Sequence, residues 1–351
     1  MSDWKSFSLG EVANIMNVKN ISGKKLPYLT VKYLRGGNEK NFVEFGNYVD
    51  KGSKVILVDG ENSGEIFSIK EEGYLGSTLR KLNIYKNVDE DFIMYFIATK
   101  KMLYSTNKTG TAIPHLSKDI FYSTKINLPP LETQKKIAAV LSALDDKIEL
   151  NNAINRNLEE QAQAIFKNMF PAVISNEISI GEYVTPKRGK GLLVKDTICG
   201  AVPVVAGGLE PATYHNESNT SAPVLTISAS GANAGYVRLW NIPVWSSDSS
   251  FIDSSMTEDV YFWYVMLKLR QKEIFDSQMG TAQPHIYPKH IAKLPIKKLD
   301  GHIIKEFTKR VTPLFSMIGA NTQENKKLGE LRDLLLPRLM NEEIDVSKVE
   351  I

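Results

Sequence analysis

Gly110-Thr111-Ala112-Ile113-Pro114-His115-Leu116 returns later in the chain as Gly280-Thr281-Ala282-Gln283-Pro284-His285-Ile286, 170 residues on. The same separation continues downstream, where Leu144, Ile148, Asn151, Asn155, Leu158 and Glu160 correspond to Leu314, Ile318, Asn321, Asn325, Leu328 and Glu330. Weaker matches lie upstream at nearly that offset: Leu9-Gly10-Glu11 with Ile180-Gly181-Glu182, and Gly60-Glu61-Asn62-Ser63-Gly64 with Gly231-Ala232-Asn233-Ala234-Gly235. Chance does not hold a register this long, and an internal repeat has to be recognised before a fold is assigned. The chain therefore reads as module, helix, module, helix, with boundaries at 1–128, 129–176, 177–299 and 300–351.

Inside each module, apolar runs such as Val55-Ile56-Leu57-Val58 and Val224-Leu225-Thr226-Ile227 are bounded by Gly, Asn and Asp, the pattern of strands. Later in each module, Asp91-Phe92-Ile93-Met94-Tyr95-Phe96-Ile97 and Asp259-Val260-Tyr261-Phe262-Trp263-Tyr264-Val265 predict amphipathic helices capped by the leading aspartate. The fold class expected is α+β: two strand-rich modules, each followed by a long helix.

From Glu132 to Met169 there is no Gly or Pro. Apolar residues recur there at alternating spacings of four and three: Ile137, Leu141, Leu144, Ile148, Leu158, Ala162, Ile165 and Met169. This is a heptad seam. At about 1.5 Å per residue such a helix runs roughly 55 Å. The second copy carries Phe307, Val311, Leu314, Ile318, Leu328, Leu335 and Leu339. Pro313 is expected to break or kink it and Pro337 to end it, because proline removes a backbone donor and clashes one turn back. Asn151 and Asn155 interrupt the first seam, and Asn321 and Asn325 the second. If the helices pack as an antiparallel coiled coil with pseudo-two-fold symmetry, Asn151 faces Asn325 and Asn155 faces Asn321, a costly arrangement that sets helix register.

The chain has 351 residues, 42% of them hydrophobic and 24% charged, enough for two ordinary cores. No signal-peptide pattern and no membrane-spanning apolar run is present, so a cytoplasmic protein without membrane contact is expected. The lone Cys199 excludes an internal disulfide. The net charge of +3 divides as +4, −1, +1 and −1 over the four segments. Positive charge sits on the modules, with the sign of a DNA reader but too little to hold phosphates unaided.

Catalytic constellations are missing. No phosphate loop of the Gly-x-x-x-x-Gly-Lys-Ser/Thr type occurs, and the Gly60–Gly64 stretch lacks its lysine. Gly189-Lys190-Gly191 follows a basic turn instead of an apolar strand. Asn127-Leu128-Pro129-Pro130 lacks the direct Pro-Pro-aromatic sequence that adenine methylation uses. His115, His215, His285, His290 and His302 show no metal-ligand spacing, so no catalytic residue and no metal site is expected.

The chain resembles the specificity subunit of type I restriction-modification systems. The residues that carry this are Leu128-Pro129-Pro130-Leu131-Glu132-Thr133-Gln134-Lys135-Lys136-Ile137, Leu144-Asp145-Asp146-Lys147-Ile148 and Leu331-Arg332-Asp333-Leu334-Leu335-Leu336-Pro337-Arg338-Leu339-Met340, together with the two Gly-Thr-Ala-x-Pro-His turns. The resemblance implies a non-catalytic subunit. Its two target-recognition domains, 1–128 and 177–299, would each read half of a bipartite, asymmetric site in double-stranded DNA. The conserved helical regions, 129–176 and 300–351, would act as a ruler for the spacer. It also implies two methyltransferase (M) subunits and restriction or motor (R) subunits as partners, carrying the S-adenosylmethionine, ATP and Mg that this chain does not bind. The competing reading is a coiled-coil interaction scaffold with no sequence preference.

Base reading needs Arg, Lys, Asn, Gln, Ser or Thr on loops at groove edges. The candidates in the first module are Lys32, Arg35 and Asn38; Glu61, Asn62 and Ser63; Ser77, Thr78 and Arg80; and Thr111 with His115. The second module offers Lys187, Arg188, Lys190, Ser230, Asn233, Ser249, Thr281, Gln283 and His285. A structural hydrogen bond within the repeated turn also explains His115 and His285, since both modules would need it whatever they read.

Overall fold

The computed structural model describes residues 3–37, 40–85, 87–109, 114–279 and 284–349. It is a mixed helix-and-strand protein that divides into two compact units, Met1–Lys147 with Lys327–Ile351, and Ile148–Lys326. Each long helix therefore contributes to both units, the first, Leu131–Met169, changing over at 147/148 and the second, Gly301–Met340, at 326/327.

In the first unit an antiparallel sheet runs in the order Ala13–Met16, Leu79–Ile84, Lys54–Leu57, Ile66–Ser68. Lys54–Leu57 is buried on both faces, which explains its unbroken apolar run. A small closed barrel is formed by Asn20–Leu29, Phe42–Val49 and Gly73–Leu75. Lys5–Ser8 pairs antiparallel with Lys125–Leu128, so the module's start is tied to its end just before the long helix begins. The module helix is Glu90–Thr99. Its cap is Asp89, whose side chain accepts from the Phe92 amide at 2.9 Å, and not Asp91. Asp91 lies in the first turn and instead pairs with the buried Lys54 at 2.5 Å. The core joins Leu9, Phe92, Phe96, Phe121 and Ile126 to Ile137 and Leu141 of the first long helix and to Leu339 and Met340 of the second.

The second unit repeats this plan. Lys187–Arg188, Ser249–Asp253, Val224–Ser228 and Val237–Trp240 form an antiparallel sheet, and Ile178–Ser179 pairs with Pro295–Ile296 to tie the module's ends. A second sheet runs Thr213–His215, Val202–Val205, Trp245–Ser246. The module helix Val260–Leu269 has Asp259 at its cap position, where the side chain makes no capping bond and accepts from Thr308 Oγ1 at 2.7 Å. Phe262 lies in an aromatic cluster with Phe166, Phe170 and Phe307, ring centroids 4.9–6.0 Å apart. Tyr261 stacks on Phe315 at 4.8 Å.

The break expected at Pro313 and the end expected at Pro337 are corrected by the second long helix, which stays helical through both and ends at Met340. Both prolines and Lys309, one turn before Pro313, are exposed. The carbonyl left without a partner faces solvent and can be hydrated, so the cost does not end the helix. Among the described residues no helix is long and apolar enough to cross a membrane.

Candidate nucleic-acid interface

Two turns meet in each module and are joined the same way. In the first, the Gly60 amide donates to the Pro114 carbonyl (2.8 Å) and the Leu116 amide to the Val58 carbonyl (2.8 Å), while Thr109 and His115 exchange backbone bonds of 3.0 and 2.7 Å. In the second, Gly231 donates to Pro284 (3.1 Å), Ile286 to Ala229 (2.9 Å), and Met279 and His285 exchange bonds of 3.1 and 2.9 Å. Gly60 and Gly64, and Gly231 and Gly235, all have positive φ, which glycine adopts without penalty. A Cβ on Gly64 would press on the Tyr104 ring at 3.1 Å, and one on Gly235 on Ile274 at 2.8 Å. Glycine at both ends of the five-residue turn is thus set by backbone conformation, and at the second end, Gly64 and Gly235, by close packing as well.

On this shared frame the side chains differ. His115 Nδ1 lies 2.6 Å from Asp59 Oδ1, with the histidine side chain half exposed. An open cleft of about 450 Å³ beside it is lined by Asn17, Arg80, Thr109, Lys118 and Asp119. In the second module Ser230 is bridged to His285 as Asp59 is to His115, and it donates its hydroxyl to Asp248. Arg188 Nη2 donates to the same carboxylate at 2.5 Å. The His285 ring stacks on exposed Tyr287, centroids 6.0 Å apart and 16° between planes.

The remaining sequence candidates differ in how exposed and how engaged they are. Lys32, Asn62 and Ser77 are exposed in the first module, as are Lys187 and Lys190 in the second, while Thr78 and Asn233 are half-buried. Arg35 is exposed but engaged, Nε donating to Glu65 Oε1 at 3.1 Å and Nη2 to the other carboxylate oxygen; this hydrogen bonding raises the guanidinium's pKa above its usual value. Arg80 Nη1 donates to the carbonyls of Ser77 (2.6 Å) and Leu79 (2.8 Å). Ser63 and Ser249 are corrections. They are 3% and 0% exposed, Ser63 because its turn folds inward against the module and Ser249 because it opens a buried strand, where its hydroxyl lies 2.7 Å from that of Ser246, and they cannot reach a groove edge. Asn38, Thr111, Thr281 and Gln283 lie outside the described residues. Asp59 and Asp248 were not among the candidates. Nothing local in the sequence links them to residues 56 and 60 positions away.

Along the long helices the seam asparagines have partners. Within the second unit, Asn151 Nδ2 donates to Asn325 Oδ1 (2.8 Å) and Glu324 Oε2 (2.7 Å), and Asn321 Nδ2 donates to Asn155 Oδ1 (2.8 Å). The two helix segments there run antiparallel, 151 beside 325 and 155 beside 321. In the first unit Asp145 accepts from Tyr95 Oη (2.7 Å) and from Arg332 Nη1 (2.6 Å), joining the module helix to both long helices. Burial, followed by this carboxylate, pushes the Tyr95 hydroxyl far up. Among the described residues no group of three or more His, Cys, Asp or Glu side chains could hold a metal ion.

Residues 1–160 match the family model described as the type I restriction modification DNA specificity domain. The HindI specificity subunit of Haemophilus influenzae is 25% identical over 98% of this chain and 100% of its own length. The chain is similar to type I restriction-modification specificity subunits. The MjaVIII specificity subunit of Methanocaldococcus jannaschii is more similar, at 34% identity, but over 48% of this chain and only 42% of its own length. The crystal structure of a type I restriction-modification system S subunit from M. genitalium has the same fold, with a TM-score of 0.59 at 20% identity over 96% of both chains. Specificity subunits are non-catalytic, and DNA recognition is the role their name describes.

Proposed function

We propose that this chain reads a bipartite, asymmetric site in double-stranded DNA, one half-site per module, and directs two methyltransferase subunits and restriction subunits to it. The observation that carries the reading is the pair of joined turns. Their backbone hydrogen bonds are the same in both modules, while the side chains on them, Asp59 and His115 against Ser230, His285, Asp248 and Arg188, are not. A common frame with different side chains suits two readers of different base sequences, since phosphate contacts position a protein and base contacts specify. The weak net charge of +3 supports a need for basic partners.

The long helices are read as one antiparallel coiled coil with pseudo-two-fold symmetry that fixes the spacer between half-sites, a reading supported by the paired asparagines. The division into target-recognition domains 1–128 and 177–299 and helical regions 129–176 and 300–351 follows from it. S-adenosylmethionine, ATP and Mg belong in this reading to the partner subunits, and the complex works in the cytoplasm, where its DNA is. Methylation-site sequencing of DNA from a host expressing the chain with its cognate methyltransferase tests the proposal. A two-part motif with a fixed gap is expected, and replacing residues 1–128 by another such module should change one half only. Methylation without a two-part motif would overturn it.

A further inference from the structure

We propose that Asp59 holds His115 as a hydrogen-bond acceptor that selects an amino-bearing base, adenine or cytosine, in the half-site read by the first module; this rests on the DNA-reading function proposed above. A carboxylate only accepts hydrogen bonds, so the 2.6 Å contact with Asp59 Oδ1 places the ring hydrogen on His115 Nδ1. In the neutral ring Nε2 then carries a lone pair, and among the described residues no hydrogen bond occupies it. In the major groove adenine and cytosine offer amino donors, whereas guanine and thymine offer acceptors at the corresponding edge. An acceptor held in one tautomer therefore discriminates between these two classes.

The turn does not need the carboxylate in order to form. In the second module the same three sets of backbone bonds hold the turn of His285, with Ser230 in the position of Asp59 and its hydroxyl given to Asp248. The acid at position 59 is thus surplus to the backbone frame, and what it adds is the state of the histidine ring. The setting also suits a polyanion. Arg80 and Lys118 line the cleft beside His115 and oppose the charges of Asp59 and Asp119, so the acids do not make this edge repulsive. Carboxylates that fix a histidine tautomer are familiar from hydrolase triads, where Asp→Asn changes the tautomer while leaving the geometry in place.

The test uses the full chain in complex with its cognate methyltransferase, on duplexes carrying the motif found by methylation sequencing. Each adenine or cytosine of the first half-site is replaced by an analogue lacking the exocyclic amino group, and binding is measured. For wild type one such replacement should weaken binding about tenfold. In His115→Ala that replacement should make no difference. In Asp59→Asn, whose amide donates to Nδ1 and moves the ring hydrogen to Nε2, the preference should be lost or should pass to an acceptor-bearing base. Unchanged second-half-site discrimination in each variant reports an intact protein. Loss of discrimination at both half-sites by wild type would defeat the DNA-reading proposal itself. A two-part preference that survives His115→Ala unaltered, or that in wild type follows removal of guanine O6 or N7, would overturn only the present inference.

Discussion

Asp145 and Phe315 occupy the same position of the internal repeat, and the two units use it in opposite ways. In the first unit Asp145 is a polar hinge pin between Tyr95 of the module helix and Arg332 of the second long helix. In the second, Phe315 stacks on Tyr261 at 4.8 Å and extends an aromatic core that includes Phe166, Phe262 and Phe307. A module can thus be docked on a helix pair either by directional hydrogen bonds or by apolar area. The second tolerates loss of its largest rings least, because a cavity costs both the transfer energy and the packing contacts of its lining.

The largest expected effect follows from that difference. Phe307→Ala removes a fully buried ring that touches Phe166, Phe170 and Phe262, and should destabilise the second unit by about 3–5 kcal/mol. Hydrogen exchange should show faster opening across 148–326, and uniform loss across both units would mean they are not separately stabilised. Asp145→Ala is next. It leaves Tyr95 and Arg332 without their shared acceptor, and with the ion pair about one-third exposed the cost should be about 1–2 kcal/mol, read as accelerated exchange in Glu90–Thr99. A cost matching that of Phe307→Ala would erase the contrast drawn here.

Replacing Asn151, Asn155, Asn321 and Asn325 together by Leu should leave the melting temperature level or raised, because apolar pairs substitute for buried amides, while loosening register. Spin-label distances across the two helix segments should broaden; a single sharp distance equal to wild type would remove the asparagines' role in register. The smallest effect is alkaline. Burial raises the Tyr104 hydroxyl to about 12. The unfolded chain gives up this proton near the ordinary value of about 10 and the folded one does not. Stability from this group is therefore complete below pH 10 and falls as pH rises from about 10 to about 12. Tyr104→Phe should flatten that part of the pH–stability curve for the first unit; an unaltered slope would assign it to other tyrosines.

Much of the helical frame was legible because its signals are periodic and local. The 170-residue repeat and the four-three spacing of Ile137, Leu141, Leu144 and Ile148 marked the long helices, and the asparagine pairing followed from register alone. The breaks expected at the prolines do not occur because a period does not say which face water will reach, and Pro313 and Pro337 are on it. For the site, polar residues near glycines identified loops but not exposure. Ser63 sits between two glycines of a turn and is nonetheless 3% exposed.

What the sequence determined by itself is the plan: two modules of unlike interior on matching helices, and a turn used twice. Those properties reside in residue type and spacing, which the chain carries before it folds. The tertiary structure decided which side chains share a site. Asp59 and His115 are 56 residues apart in sequence, and Arg188 and Asp248 are 60 apart. Only strand pairing and the joined turns bring each carboxylate within hydrogen-bond distance of its partner. Hydrogen bonds act over about 3 Å, so chemistry that depends on them is settled by the fold and not by the order of residues.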